Sequence, residues 1–178
     1  MSLPALLETL WSDLEAVRSQ VLKEADGLSQ GQADWRPADT DWSAGEILHH
    51  LTLAEINTGK LTSKLLKEVS AGKPFPADLQ AFPPLPVRAG GPGEAPEGVR
   101  ADRGLAIERL LADMRAARDR TRQTLERLAT VDPRGFTWSH PAFGVLDLSQ
   151  WWQLQAYHDR DHLQQLRAVK AAPGFPVR

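Results

Sequence analysis

Apolar residues recur at three- and four-residue spacing in four long stretches of the chain, the period of a helix that buries one face. The first stripe is Leu3, Leu6, Leu7, Leu10, Leu14, Val17 and Val21, with Glu8, Asp13, Arg18 and Lys23 in other directions. It predicts a helix over 3–26 ending near Gly27, with Pro4 tolerated in the first turn. A polar stretch with Trp35 and Pro37 reads as a connection. At Trp42-Ser43-Ala44-Gly45-Glu46-Ile47 a second helix begins: Ser43 and Glu46 suit a reciprocal capping box, and Trp42 is placed to staple Ile47. Ile47, Leu48, Leu51, Ala54, Leu61, Leu65, Leu66 and Val69 carry its stripe to about residue 70.

Residues 72–100 break the pattern with seven prolines and five glycines. Pro lacks a backbone donor and Gly costs chain entropy, so a flexible linker and an ordered lid held by Phe75, Phe82, Leu85 and Val87 both fit this segment. Periodicity resumes over 103–129, with Leu105, Leu110, Met114, Ala117, Thr121, Leu125 and Leu128 inward. The Arg109/Asp113, Arg115/Asp119 and Arg122/Glu126 pairs at four-residue spacing point to a solvated outer face. After an Asp132-Pro133-Arg134-Gly135 turn, Phe136 to Trp138 reads as briefly extended. Asp147 and Gln150 then suit the cap of a last helix whose face is Trp151, Leu154, Gln155, His158, His162, Leu166 and Val169, ending before Pro173. The expected fold is all-α: one domain over 1–178, a four-helix bundle with a long Pro/Gly-rich crossover connection.

Composition narrows the chemistry. Lys plus Arg is 21 against 23 Asp plus Glu, a net charge of -2, so no nucleic-acid partner is expected. Acidic residues interrupt the apolar N-terminus and no stretch suits a membrane span, so no membrane partner and a cytoplasmic location are expected. Cysteine is absent, which leaves any metal site to the five histidines.

His158 and His162 lie four residues apart, about 40° and 6 Å along a helix, so both imidazoles can turn to one centre. His50 follows Ile47 by three residues on the inward stripe of the second helix and is the third candidate ligand; His49 points about 100° away and reads as peripheral. Three imidazoles leave a coordination position open, as in catalytic metal sites. Glu46, one turn before His50, suits either the capping box or a general base. Asp159 and Asp161 suit either orientation of a ligand imidazole or solvation of the helix, Tyr157 a site mouth or a helix contact, and His140 an anchor for its loop. One of Trp151 and Trp152 is expected to be buried and the other to lie near a groove.

Trp42-Ser43-x2-Glu46-x3-His50-Leu51, together with His140-Pro141-x-Phe143-Gly144-x-Leu146 and His158-x3-His162, resembles the DinB-like (YfiT-like) metal-binding four-helix superfamily over nearly the whole chain. The resemblance implies a bundle of unusual crossover connectivity, a metal triad of His50, His158 and His162, and frequent homodimerisation. It implies a divalent metal, zinc or nickel foremost, with iron and manganese also accepting imidazole. The implied activities are transfer of a low-molecular-weight thiol to a small electrophile or hydrolysis of a small substrate; a noncatalytic metal-binding stress-associated protein is the alternative. The absent cysteine is compatible with thiol transfer, because the sulfur nucleophile would then arrive with a cosubstrate.

Overall fold

The computed structural model describes residues 2–68, 72–89 and 95–177. Its elements are α1 (Ala5–Ala25), α2 (Gln30–Asp34), α3 (Ala44–Glu68), a 3-10 turn (Glu97–Val99), α4 (Ile107–Leu128), a second 3-10 turn (Pro133–Gly135), the strands β1 (Thr137–His140) and β2 (Gly144–Asp147), and α5 (Leu148–Ala171). The four long helices lie where the apolar period predicts them, and Val69 with the expected end of the second helix falls outside the described residues.

Both predicted capping boxes are present. Ser43 Oγ accepts from the Glu46 amide at 3.2 Å while the Glu46 carboxylate accepts from the Ser43 amide at 2.9 Å. Asp147 and Gln150 make the same reciprocal pair at the start of α5. The extended run expected from Phe136 to Trp138 is present, with Thr137 and Trp138 opening β1, but the short helix after α1 and the pairing of β1 with a second strand were not legible in the residue pattern. The polar connection after α1 holds the short α2, opened by its own Ser29–Gln32 box. The loop ahead of α5 is an antiparallel hairpin pairing Thr137 with Asp147 and His140 with Gly144, where Gly144 takes φ 71° at the turn.

The helices form a ring in which α1 contacts α5 and α4, and α3 contacts α4 and α5. Thr121 bonds Glu55 and Arg127 bonds Ser63, so α3 and α4 run parallel. Arg18 bonds Asp159 and Arg167 bonds Glu24, so α1 and α5 are parallel as well. Glu8 meets Arg122 while Glu15 meets Arg118, which sets α1 antiparallel to α4. The crossover follows from this arrangement: the 25-residue α3 is about 37 Å long, and a parallel neighbour can start only after the chain has returned that distance.

The crossover is pinned along its described length. Phe75 and Phe82 pack on the core, Asp132 N donates to Lys73 O, and Gln153 and Gln150 donate to the carbonyls of Pro83 and Pro84. Ala89 N donates to Ala142 O in the hairpin turn. Val87 does not pack on the body; it is exposed, and the crossover is held near it by the Ala89 backbone bond instead.

Two apolar clusters fill the bundle, one around Val21, Ile47, Leu51, Met114 and Leu166, the other around Leu7, Leu14, Leu125, Leu148 and Trp152. On each of the four long helices a charged residue falls between them: Arg18, Glu55, Arg118 and Asp159, all buried. Arg18 binds Asp159 through Nε at 3.0 Å and Nη2 at 2.9 Å and meets Glu55 at 2.9 Å; Arg118 meets Glu55 at 3.0 Å and Asp159 at 3.3 Å. Burial opposes the Arg18 charge, but Asp159 and Glu55 outweigh it and hold the guanidinium pKa above its ordinary value. Two sequence expectations change here. Arg18 does not point outward with the polar face, and Asp159 neither orients a site imidazole nor solubilises its helix, because each completes the other's charge in the core. Leu154, Gln155, Leu166 and Val169 are buried as the predicted face of α5 requires; of the adjacent tryptophans Trp152 is the fully buried one, while Trp151, expected on the inward stripe, is half-buried and donates to Trp138 O.

Candidate metal centre

With Asp159 drawn toward α1, the next face of α5 turns to α3, and that face carries His158 and His162. The two rings meet His50 of α3, with centroids 4.8 Å from His50 and 4.5 Å from each other. One ligand nitrogen from each imidazole lies within 4.8 Å of the others. Among the described residues this is the one group of three or more His, Asp or Glu side chains arranged to hold a metal ion.

The outer nitrogens of two rings are committed. His50 Nδ1 sits 2.6 Å from the Val99 carbonyl and His162 Nδ1 sits 2.7 Å from Gln165 Oε1. A carbonyl oxygen only accepts, so Nδ1 of each ring carries the proton and Nε2 presents a lone pair. His50 Nε2 lies 2.9 Å from His158 Nε2, leaving His158 to supply the proton between them, and His158 Nδ1 is then buried without a hydrogen-bond partner.

Burial holds all three imidazoles below their ordinary pKa. His50 is pushed down to about 4, with neighbouring His162 adding to the effect of burial and the Val99 bond opposing it. His158 goes lower still, through burial and then the proximity of His162 and His50. For His162, burial is opposed by its bond to Gln165. The cluster is therefore neutral at pH 7, the form in which imidazole binds metals.

Trp42 forms one wall of the cluster. Its ring stacks parallel to His162 at 5.8 Å and meets His50 edge-on at 4.8 Å, while packing against the core cluster that contains Ile47. Glu46 stands outside the group of three. Its oxygens are taken by the Ser43 amide and by Arg36, with Arg103 at 3.5 Å; burial works against its charge, and the Ser43 and Arg36 bonds more than compensate, holding the carboxyl below its ordinary pKa.

The other histidines take separate places. His49 Nδ1 accepts from the Asp102 amide, and His140 Nδ1 accepts from the Ala142 amide across the hairpin turn while its ring packs on Phe143 and Trp151. Tyr157 is half exposed and meets Phe143 edge-on, and Asp161 is exposed. The partners that set the site's tautomers, Val99 and Gln165, escaped the sequence reading. Gln165 lies three residues after His162, a spacing that places both on one helix face and was available as a signal. Val99 arrives from the crossover, and no local pattern announces it.

The sequence profile of the DinB superfamily matches residues 13–166, which contain every residue of the cluster. The uncharacterized protein YuaE of Bacillus subtilis (strain 168) is 22% identical over 155 residues, 86% of this chain and 92% of that protein. A crystal structure of TT2238, described as a four-helix bundle protein, superposes with a TM-score of 0.63 at 20% identity, covering 91% of this chain and 98% of the other. Among the described residues no helix is long and apolar enough to cross a membrane.

Proposed function

The chain belongs to the DinB superfamily, and from that premise we propose that it is a divalent-metal-dependent enzyme that uses His50, His158 and His162 to activate a low-molecular-weight thiol against a small electrophile. The observation that carries this is the convergence of three neutral imidazoles, His50 buried and His158 and His162 partly buried, in which only one proton fits between the two closest Nε2 atoms. A cation in their midst can take a lone pair from all three rings, which the single proton between His50 and His158 cannot do, and zinc or nickel suits an all-imidazole donor set, as do iron and manganese. When bound there, such an ion supplies Lewis acidity at a position left free by only three protein ligands.

The protein's own residues orient and enclose. Val99 and Gln165 fix which nitrogen of His50 and of His162 faces inward, and such outer partners typically account for about 10–100-fold in metal affinity. Trp42 closes one side of the cluster. The thiol is favoured over water because, among the described residues, no carboxylate joins the three imidazoles: Glu46 is held by Arg36 and Ser43, Asp159 is held by Arg18, and Asp161 is exposed. A thiol ionises near pKa 8.5 in water and needs little help to do so, whereas water starts from about 15.7. We accordingly assign Glu46 to anchoring the start of α3 rather than to general-base work. A cytoplasmic setting, where small thiols stay reduced, suits this chemistry.

The test is elemental analysis of protein purified without a metal-affinity tag, followed by a screen of small thiols with and without electrophiles. One metal per chain is expected, lost in His50→Ala, His158→Ala and His162→Ala, with thiol-dependent turnover in the loaded wild type alone. Unchanged metal content in the three variants overturns the site, and metal binding with turnover that ignores the thiol moves the assignment to hydrolysis.

A further inference from the structure

The last part of the crossover lies on α3 and is bound there by three side chains of that helix. Asn57 Nδ2 donates to Gly98 O at 2.7 Å, His50 Nδ1 donates to Val99 O at 2.6 Å, and His49 Nδ1 accepts from Asp102 N at 2.9 Å. The approach is close: a Cβ built on Gly98 would lie 3.4 Å from Asn57 Nδ2. His50 and Asn57 are seven residues apart, two helical turns, and so share one face, while His49 flanks it. The middle of these contacts belongs to a cluster histidine and the outer two do not.

Taking the metal centre proposed above as given, we infer that residues 97–102 form a strap coupled to it, with His49 and Asn57 as positioning residues that act on the metal through Val99 and His50. The Val99 carbonyl holds the Nδ1 proton of His50 and so keeps its Nε2 lone pair turned into the cluster. A cation drawing on that lone pair makes the Nδ1–H a stronger donor, which tightens the same bond to Val99. Coupling of this kind is reciprocal: whatever factor the strap adds to metal affinity, the metal returns to the strap. His49 and Asn57 place the Val99 carbonyl by holding the residues on either side of it, Gly98 and Asp102. His49, which its helical angle alone marks as peripheral, thereby gains a role without touching the cluster.

The experiment uses the full chain with zinc or nickel as the probe. Hydrogen exchange is compared between metal-free and loaded protein, and metal affinity is measured by chelator competition in His49→Ala, Asn57→Ala and His49→Asn. Asn at position 49 restores a side-chain acceptor for the Asp102 amide. Gln153→Ala, which releases Pro83 at the other end of the crossover, serves as the control. Exchange at Asp102 N–H is expected to slow on loading. Affinity is expected to fall about 10-fold in the two alanine variants, in the range of other outer-partner losses, to recover in His49→Asn, and to hold in Gln153→Ala. Stoichiometric loading with unchanged exchange at 97–102, or equal affinity in all variants, overturns the strap and leaves the metal centre standing. An equal loss in Gln153→Ala also overturns it, since general loosening would then suffice. Failure of the wild type to load at all removes the metal centre and the strap with it.

Discussion

Replacing Asp159 with Ala tests the charged layer that separates the two halves of the core. Its side chain is wholly buried, and its carboxylate accepts from Arg18 Nε at 3.0 Å, Arg18 Nη2 at 2.9–3.1 Å, Arg118 Nη2 at 3.3 Å and Gln155 Nε2 at 3.0 Å. Without it, two buried guanidinium groups share the single carboxylate of Glu55 at the centre of the layer. Breaking one side of a buried pair costs about 3–5 kcal/mol, because the partner charge stays desolvated. For a domain of this size each kcal/mol moves Tm by about 2–4 °C, so a drop of roughly 6–20 °C is expected. Urea unfolding followed by far-UV circular dichroism measures the loss. Asp13→Ala provides the comparison, because Asp13 faces Arg160 at 3.8 Å with both side chains more than half exposed, and a change within about 0.5 kcal/mol is expected there. Arg18→Met combined with Asp159→Leu should cost less than Asp159→Ala alone, since no charge is then stranded by that pair. A loss below about 1 kcal/mol for Asp159→Ala, or one no larger than for Asp13→Ala, would refute the view that this layer clamps the four helices.

The metal-free protein should lose stability as pH falls from about 6.5 toward 4. His50 keeps a folded pKa of about 4 against 6.5 when unfolded, so across that window the unfolded chain binds the extra proton. The slope of unfolding free energy against pH should flatten in His50→Gln, and an unchanged slope contradicts the assignment. Gly144→Ala should cost about 1–2 kcal/mol through backbone strain, because Gly144 sits at φ 71° with nothing within 4 Å of a Cβ placed there. A neutral result in thermal unfolding would show that the hairpin turn takes another conformation at no cost.

The local features of this chain are written in its residues because they depend on neighbours a few positions away. The apolar period locates α1, α3, α4 and α5; Ser43 with Glu46, and Asp147 with Gln150, open two of them; and the helical angle separates His50 from His49. Helical spacing also puts His158 and His162 on one face. These signals survive folding because each is a bond or a direction within one helix.

What tertiary structure alone decided involves contacts between distant residues. Arg18, Glu55, Arg118 and Asp159 each look like members of a polar helix face, and only the approach of four helices turns them into a neutral buried layer. The same packing decides that Trp152, of the two adjacent tryptophans, is the buried one, and brings His158 and His162 to His50. The parallel pairing of α3 with α4 cannot be read from either helix, yet it is what requires the crossover and carries Val99 back to His50. Sequence determined which residues were able to meet, since local periodicity and capping are short-range. Which of them do meet was decided by the packing of the bundle, where burying a charge is tolerable only beside its opposite.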